Sequence, residues 1–470
     1  MTDRSKPGDL VRPRDPAPIL AALRSGARPL SEEIALLCDR IDQFESLIEA
    51  LLPDETGAQR RERLLTQAEH LSERWPDPET RPPLYGTVVG VKDIFHARNF
   101  PTRAGSRLPP EVLLGDNSGP GDERNRAAES AASVHLLEEA GALVLGKVVT
   151  TEFAYFGPGP TRNPWNTDHT PGGSSSGSAA AVAAGFCHIA LGTQTIGSIS
   201  RPATFCGLAG YKPSFGRIST AGVIPFSPNA DHIGLLAPSA RTLAAVAPVL
   251  TGEWNAPAAS LTRPPRDTLR YQLGTVLIPD DAYLAQADDD ARRGLSAVQE
   301  RLQGLGVTVQ RVNAFADIES INAAHQDMIA YDFARVHAGW YDAHGDLYHK
   351  RSRELIQRGR GITDDRHALA VAGRKDLRVR LDGALRRHAA TLWIAPATVG
   401  DAPPGIQATG NPIMNLPWTY AGVPTVSLPL TNLPHGTGDH GLPLGIQIAA
   451  PFGEDESLVA LAILLEEALR

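Results

Sequence analysis

Three positions stand out for the company they keep: Lys92 at the end of a β-branched run, Ser174 inside a Gly/Ser loop, and Ser198 in a turn of small residues. The segment 192–203, GTQTIGSISRPA, follows a strand-like run and leads into a short helical stretch. Strand, tight turn, serine and helix together expose a side-chain hydroxyl and several backbone N–H groups at one edge of a sheet. Acyl transfer needs this pairing of a nucleophile with donors for the charge that develops on the attacked oxygen. A serine hydroxyl is a poor nucleophile unless a base accepts its proton.

His96, His169 and His188 sit in no recognisable catalytic context, and such residues are ordinarily surface groups or hydrogen-bonded core groups. The other candidate base, Lys92, directly follows GTVVGV at 86–91 and precedes Asp93. A lysine at a strand end is ordinarily solvated. To act near neutrality it must lose about three units from ~10.4, equivalent to ~4 kcal/mol against the cation, which burial in a strand-end pocket can supply. A neutral amine then reaches Ser198 through a bridging hydroxyl. Ser174, in PGGSSSGSAAAVAAG at 171–185, is the natural relay, and its GGSS turn suits an unusual peptide geometry. The loop lacks the Lys and Ser/Thr of a phosphate-cradling GxxxxGK[ST] sequence. A flexible linker is its bland reading, disfavoured by the alanine-rich helix attached to it.

The elements that must position these groups are legible as short apolar runs alternating with helical periodicity. Strands are expected at 86–91, 142–145, 187–193, 271–279, near Val307, and at 391–397, 425–430 and 442–450. Helices are expected at 131–140, 286–305, 318–343, 364–385 and 456–469, with a helical preamble over 30–70. This alternation predicts a single large α/β domain with a mixed, largely parallel twisted sheet covered by helices on both faces. Residues 1–18, Pro-broken and charged, are expected to be a flexible tail, residues 19–83 N-terminal helices packing on the core, and 84–470 the catalytic domain. The helix-rich block at 318–385 is expected to be a cap over one end of the sheet.

Composition narrows the class. The 470 residues carry 45 Lys+Arg against 53 Asp+Glu, a net charge of −8, which offers no general attraction to nucleic acid or to anionic membranes. Cys38, Cys187 and Cys206 form no CxxC pair, which fits a reducing compartment and supplies neither a disulfide framework nor a zinc site. No apolar leader and no membrane-span-length run is seen, so a cytoplasmic protein is expected. No cofactor or metal is implied, since HExxH and clustered His/Cys ligands are both missing.

With these residues in place, the chain resembles the amidase signature family, the Ser–Ser–Lys hydrolases that share a core with the A-type component of the glutamyl-tRNA amidotransferases. The resemblance rests on VGVKD at 89–93, PGGSSSGSAAAVAAG at 171–185, GTQTIGSISRPATFCGLAGYKPS at 192–214 and PWTYAGVPTVSLPL at 417–430. It implies that Lys92 is the base, Ser174 a cis-peptide serine that relays the proton, and Ser198 the acylated nucleophile. It further implies an oxyanion hole from the N–H groups of Thr195, Ile196, Gly197 and Ser198. Gly172 and Gly173 support the loop, and Ser175 is expected to hydrogen-bond near Lys92. The chain departs from the family at Ser176, where a second Gly is common, at Gln194 (commonly Asp), Ile196 (commonly Gly) and Ser200 (commonly Arg), while Arg201 lies one position later than the usual Arg. A β-branched Ile196 disfavours positive φ, so the turn must use an ordinary backbone conformation.

The expected activity is cleavage of the C–N bond of a small aryl or alkyl amide, with carbamates and esters open to the same chemistry. Tyr155 and Phe156, with apolar side chains of the 318–340 helix, are expected to shape the acyl pocket. Three rivals accompany this reading. Gly173-Ser-Ser175-Ser-Gly177 formally satisfies the GxSxG pattern of α/β-hydrolases, with Asp439-His440 following later, although the preceding NPWNTDHTPGG is not strand-like. The others are an inactive binding protein on the same fold and an ammonia-channelling amidotransferase A-type subunit. Expected partners are a small amide or carbamate substrate, with the chain a monomer or homodimer.

Overall fold

The computed structural model describes residues 10–11, 16–114, 130–255 and 269–470. In chain order its strands are β1 (Val88–Lys92), β2 (Leu143–Val148), β3 (Ile189–Gln194), β4 (Ala209–Lys212) and β5 (His232–Ala237), then β6 (Thr275–Pro279), β7 (Thr308–Val312), β8 (Ala390–Pro396), β9 (Thr425–Pro429) and β10 (Gly445–Ala449). They form one mixed sheet ordered β2-β1-β3-β5-β4-β9-β10-β8-β6-β7. Parallel pairing forms two blocks, β2-β1-β3 and β8-β6-β7. Antiparallel pairs join them through the middle of the sheet.

Both faces are covered, as the period-two alternation of strand side chains requires. Val88, Ala190 and Leu236 pack with the alanines of the Ser176–Ala183 helix and with the N-terminal helices. Their neighbours Val89, Leu191 and Leu235 point the other way, into the larger core with the Ala240–Thr251 and Asp455–Ala468 helices. The Ser176–Ala183 helix is buried all round. Its close approach explains Gly177: a Cβ there would lie 2.3 Å from the Val149 nitrogen and 2.5 Å from the Ala50 carbonyl oxygen.

Several expected boundaries shift. A helix, Pro16–Ser25, begins inside the expected tail, whose residues 1–9 and 12–15 lie outside the described residues. The preamble is two helices, Leu30–Ile48 and Gly57–Arg74, the second opened by Thr56, whose side chain accepts from the Gln59 N–H. The first part of the 271–279 strand is the end of a helix, Leu269–Leu273. The 318–343 helix breaks at His337 into Ile318–Val336 and Ala338–His344. Strands β4 and β5 were not expected, because neither a four-residue AGYK nor HIGLLA shows an apolar/polar alternation.

His188 is a core histidine with a structural task. Its Nδ1 accepts the Val88 N–H at 2.9 Å, which leaves Nε2 as the donor to Glu33 Oε1 at 3.2 Å. Arg28 reaches the other oxygen of Glu33 at 2.8 Å. The N-terminal helices are thereby tied to β1.

At the end of β1 a second buried pair fixes the turn. Lys147 Nζ lies 2.9 Å from Asp93 Oδ1, both side chains fully buried, and also donates to Thr102 Oγ1 at 2.9 Å. The Asp93 carboxylate accepts the Arg103 N–H at 3.2 Å. Breaking a buried pair strands a charge. Lys147→Met is expected to lower the unfolding free energy by about 3–5 kcal/mol in a denaturant titration. A loss below ~1 kcal/mol, the range of a surface pair, would show that this contact does not anchor the turn.

Candidate active site

β1 and β3 are parallel neighbours, so their C-terminal ends emerge at the same edge of the sheet. Lys92 ends β1, and the turn carrying Ser198 follows β3. The Gly/Ser loop enters the same place because the Ser176–Ala183 helix packs beneath these strands. Crevices outside the carboxyl ends of strands are the usual ligand sites of open α/β sheets.

The structure brings the three predicted residues to this one location. Lys92 is fully buried, and its Nζ lies 2.8 Å from Ser174 Oγ and 2.7 Å from Thr193 Oγ1. Burial holds the amine well below the ordinary lysine range, with the Asp231 carboxylate pulling the other way. The Gly173–Ser174 peptide bond is cis, and Gly172 before it has φ +84°. Ser174 and Ser198 border one cleft of about 270 Å³. No hydrogen bond joins the two hydroxyls among the described residues.

Ser175 hydrogen-bonds to the residue that also contacts Lys92. Its hydroxyl faces the Thr193 carbonyl oxygen at 3.4 Å, and the second partner of Lys92 is the Thr193 side chain. Thr193 escaped notice in the sequence because a threonine in a strand carries no signal of its own. Only the pairing of β1 with β3 sets it opposite the amine.

The turn before Ser198 is fastened from several directions. Gln194 Oε1 accepts the N–H groups of Ile199 (2.8 Å) and Ser200 (2.9 Å), while its Nε2 donates to Thr419 Oγ1 at 3.0 Å. Thr419 in turn donates to the Ile196 carbonyl oxygen at 2.7 Å. Gln194, where the family commonly has Asp, therefore caps the Ser200–Phe205 helix and holds the turn to the Leu416–Ala421 helix. Ile196 does not adopt positive φ, in line with its branched side chain. Gly197 is required for space, since a Cβ would lie 2.4 Å from Asn415 Oδ1. Among the described residues the N–H groups of Thr195, Ile196, Gly197 and Ser198 donate to no acceptor of the chain, so four donors are left at this turn. Thr195 adds its hydroxyl to Asp231 Oδ1 at 2.5 Å. Burial pushes the Asp231 carboxyl up to about 6, against the hydrogen bond from Thr195.

Arg201 is buried with no carboxylate partner among the described residues. Its NH2 donates to the Gly173 carbonyl oxygen at 2.6 Å and its NH1 to that of Gly410 at 3.0 Å. It thus holds the peptide preceding Ser174, and burial pushes its guanidinium down to about 9. Tyr155 and Phe156 border the cleft, together with Arg201, Phe226 and Pro412. The 318–340 helix does not line it, contrary to expectation: Phe333 lies behind the wall, with its ring 4.7 Å from Phe226 and 6.2 Å from Tyr155.

The α/β-hydrolase arrangement is not assembled. His440 pairs with Asp401 at 2.9 Å and stacks edge-on against His169, away from Ser175. His169 Nδ1 is taken by the Ala402 carbonyl oxygen at 2.7 Å, and His96 by Thr102 at 3.2 Å. None of these imidazoles borders the cleft.

Comparison with known proteins agrees with this arrangement. The amidase family profile matches residues 32–459. The A-type component of the glutamyl-tRNA(Gln) amidotransferase of Thermus thermophilus is 33% identical over 449 residues, covering 87% of this chain and 88% of the relative. A solved amidase superposes with a TM-score of 0.81 at 29% identity, covering 97% of this chain and 99% of the other. The native peptide amidase of Stenotrophomonas maltophilia gives 0.74 at 26% identity, with 96% of each chain covered. With the family profile matched over residues 32–459 and the fold superposed over nearly the whole chain, the chain belongs to the amidase signature family.

Proposed function

We propose that the chain is an amidohydrolase that cleaves small aryl or alkyl amides through an acyl-enzyme on Ser198. The observation that carries this reading is the direct contact of a fully buried lysine amine with the Ser174 hydroxyl, in the cleft that Ser198 borders. A neutral amine keeps a lone pair. With Thr193 Oγ1 accepting one N–H, that lone pair takes the Ser174 proton as Ser174 takes the proton of Ser198. The link between the two hydroxyls is made by side-chain rotation at Ser198. The freed oxygen attacks the amide carbonyl, and the N–H groups of Thr195, Ile196, Gly197 and Ser198 receive the charge on its oxygen. The proton then returns through Ser174 to the leaving amine, and water repeats the sequence to release the acid. Arg201, by holding the Gly173 carbonyl, and Gln194, by holding the turn, are positioning residues. Carbamates and esters pass through a similar tetrahedral intermediate and are secondary substrates. The chain's place of action is the cytoplasm, as a monomer or homodimer.

A second reading is favoured by the identity to the A-type amidotransferase component: the chain would act within a complex and release ammonia to a partner. Turnover of a simple anilide by the purified chain supports the first reading, and glutamine-dependent ammonia release only with added partner proteins supports the second.

Lys92→Met, Ser174→Ala and Ser198→Ala are each expected to lower kcat by about 10²-fold or more, with the fold retained by circular dichroism. A fluorophosphonate should label the peptide containing Ser198, and labelling at Ser175 instead would overturn the assignment. The pH dependence has a definite sign. Because burial depresses the Lys92 pKa, the active neutral form accumulates as pH rises, and kcat should climb through an acid limb well below ~10.4. An acid limb centred near 4, the carboxylate range, would exclude Lys92 as the base. Between its depressed value and ~10.4 the unfolded chain holds a proton that the folded chain lacks, so this lysine's contribution to stability rises with pH there. Lys92→Met should therefore be more stable than the parent at pH 7, and this gain should shrink as pH is raised.

A further inference from the structure

Beside the cleft that Ser174 and Ser198 border lies a second hollow of about 580 Å³, counted to its mouth. Its walls are largely apolar, with Ile94, Val223, Ile224, Pro225 and Ile233 prominent. Ser174, Ser198 and Arg201 do not border it, while Ala154, Thr195 and Phe226 border both spaces. Phe226 thus stands as the partition between them.

The partition is held on both sides. Its N–H donates to Asp231 Oδ2 at 2.8 Å, and the other oxygen of Asp231 takes the Thr195 hydroxyl. Ser227 Oγ donates to Asp332 of the Ile318–Val336 helix at 2.6 Å, and Asn229 Nδ2 donates to the same carboxylate at 3.2 Å. His367 Nε2 approaches it at 2.8 Å. One segment, 226–231, therefore joins the candidate oxyanion turn to the cap helices and carries the wall between the two spaces.

We infer that this second hollow receives the apolar substituent on the acyl side of the substrate, with Phe226 setting how that substituent enters. The inference rests on the amidohydrolase reading and deepens it. The leaving amine must take its proton from Ser174, which borders only the first cleft, so the amine stays there. The acyl substituent is the group free to pass Thr195. Its destination has apolar walls, and the carboxylate of Asp231 is already engaged by Thr195, Phe226 and Ser227, the last at 3.0 Å. An alkyl or aryl chain therefore fits, and an anionic one finds no cation among the lining residues.

The test compares acetanilide with 4-phenylbutyranilide in the parent, Val223→Trp and Thr220→Trp. Both positions border only the second hollow, and Thr220 is exposed, so its variant is expected to fold even where Val223→Trp does not. The ratio of kcat/KM for the long over the short anilide should fall about tenfold or more in the variants, on the scale of size discrimination by an apolar pocket. A ratio unmoved by tryptophan at both positions would overturn the inference. Calorimetric binding to Ser198→Ala protein separates this inference from the hydrolytic reading. Tighter binding of 4-phenylbutyramide than of acetamide, lost in the added Thr220→Trp, supports the hollow even where the parent hydrolyses neither anilide. Equal binding of the two amides overturns it.

Discussion

The arrangement depends on keeping one amine out of water and away from any close carboxylate. Lys92 ends a strand whose residues are all buried, and its two neighbours are hydroxyls rather than charges. Desolvation therefore outweighs the opposing attraction of the Asp231 carboxylate. A carboxylate in direct contact would hold the proton on the amine. On the adjoining strand β2, Lys147 shows that alternative: it is equally buried but sits against Asp93 and serves to anchor a turn. The same residue type takes two roles because one has a partner of opposite charge and the other does not.

Keeping the amine dry requires close packing around it, and the small residues of the loop and helix answer that need. Alanines and Gly177 let the Ser176–Ala183 helix lie against β1 and β2 without a gap. Backbone groups exposed by the loop are then taken up by buried side chains. Arg201 binds the Gly173 and Gly410 carbonyls, and Gln194 binds the N–H groups that open the next helix. Buried polar groups left without partners are costly, so each of these contacts also selects one geometry for the turn. Gln194, which departs from the common family residue, and Arg201, one position later than the usual Arg, give the loop and the turn their partners within this chain.

The outer elements act at a distance on the same centre. The N-terminal helices reach β1 through Arg28, Glu33 and His188, and the Ile318–Val336 helix reaches the candidate oxyanion turn through Asp332 and the 226–231 segment. Both routes are chains of buried polar contacts, whose geometry is more directional than apolar packing alone. The Ile318–Val336 helix thus packs behind the wall of the cleft and does not line it.

Residue type and order were enough to single out Lys92, Ser174 and Ser198, because a lysine after an apolar strand and two small-residue turns are local patterns with local chemical meaning. They were also enough for the alternation of strands and helices and for most element positions. What they left open is everything that depends on which strands become neighbours. Thr193 faces the amine only because β1 pairs with β3, and Thr419 holds the turn from more than two hundred positions away. The sheet order, the wall formed by Phe226 and the position of Phe333 behind it were decided by tertiary packing, since long-range contacts leave no periodic mark in the chain that makes them.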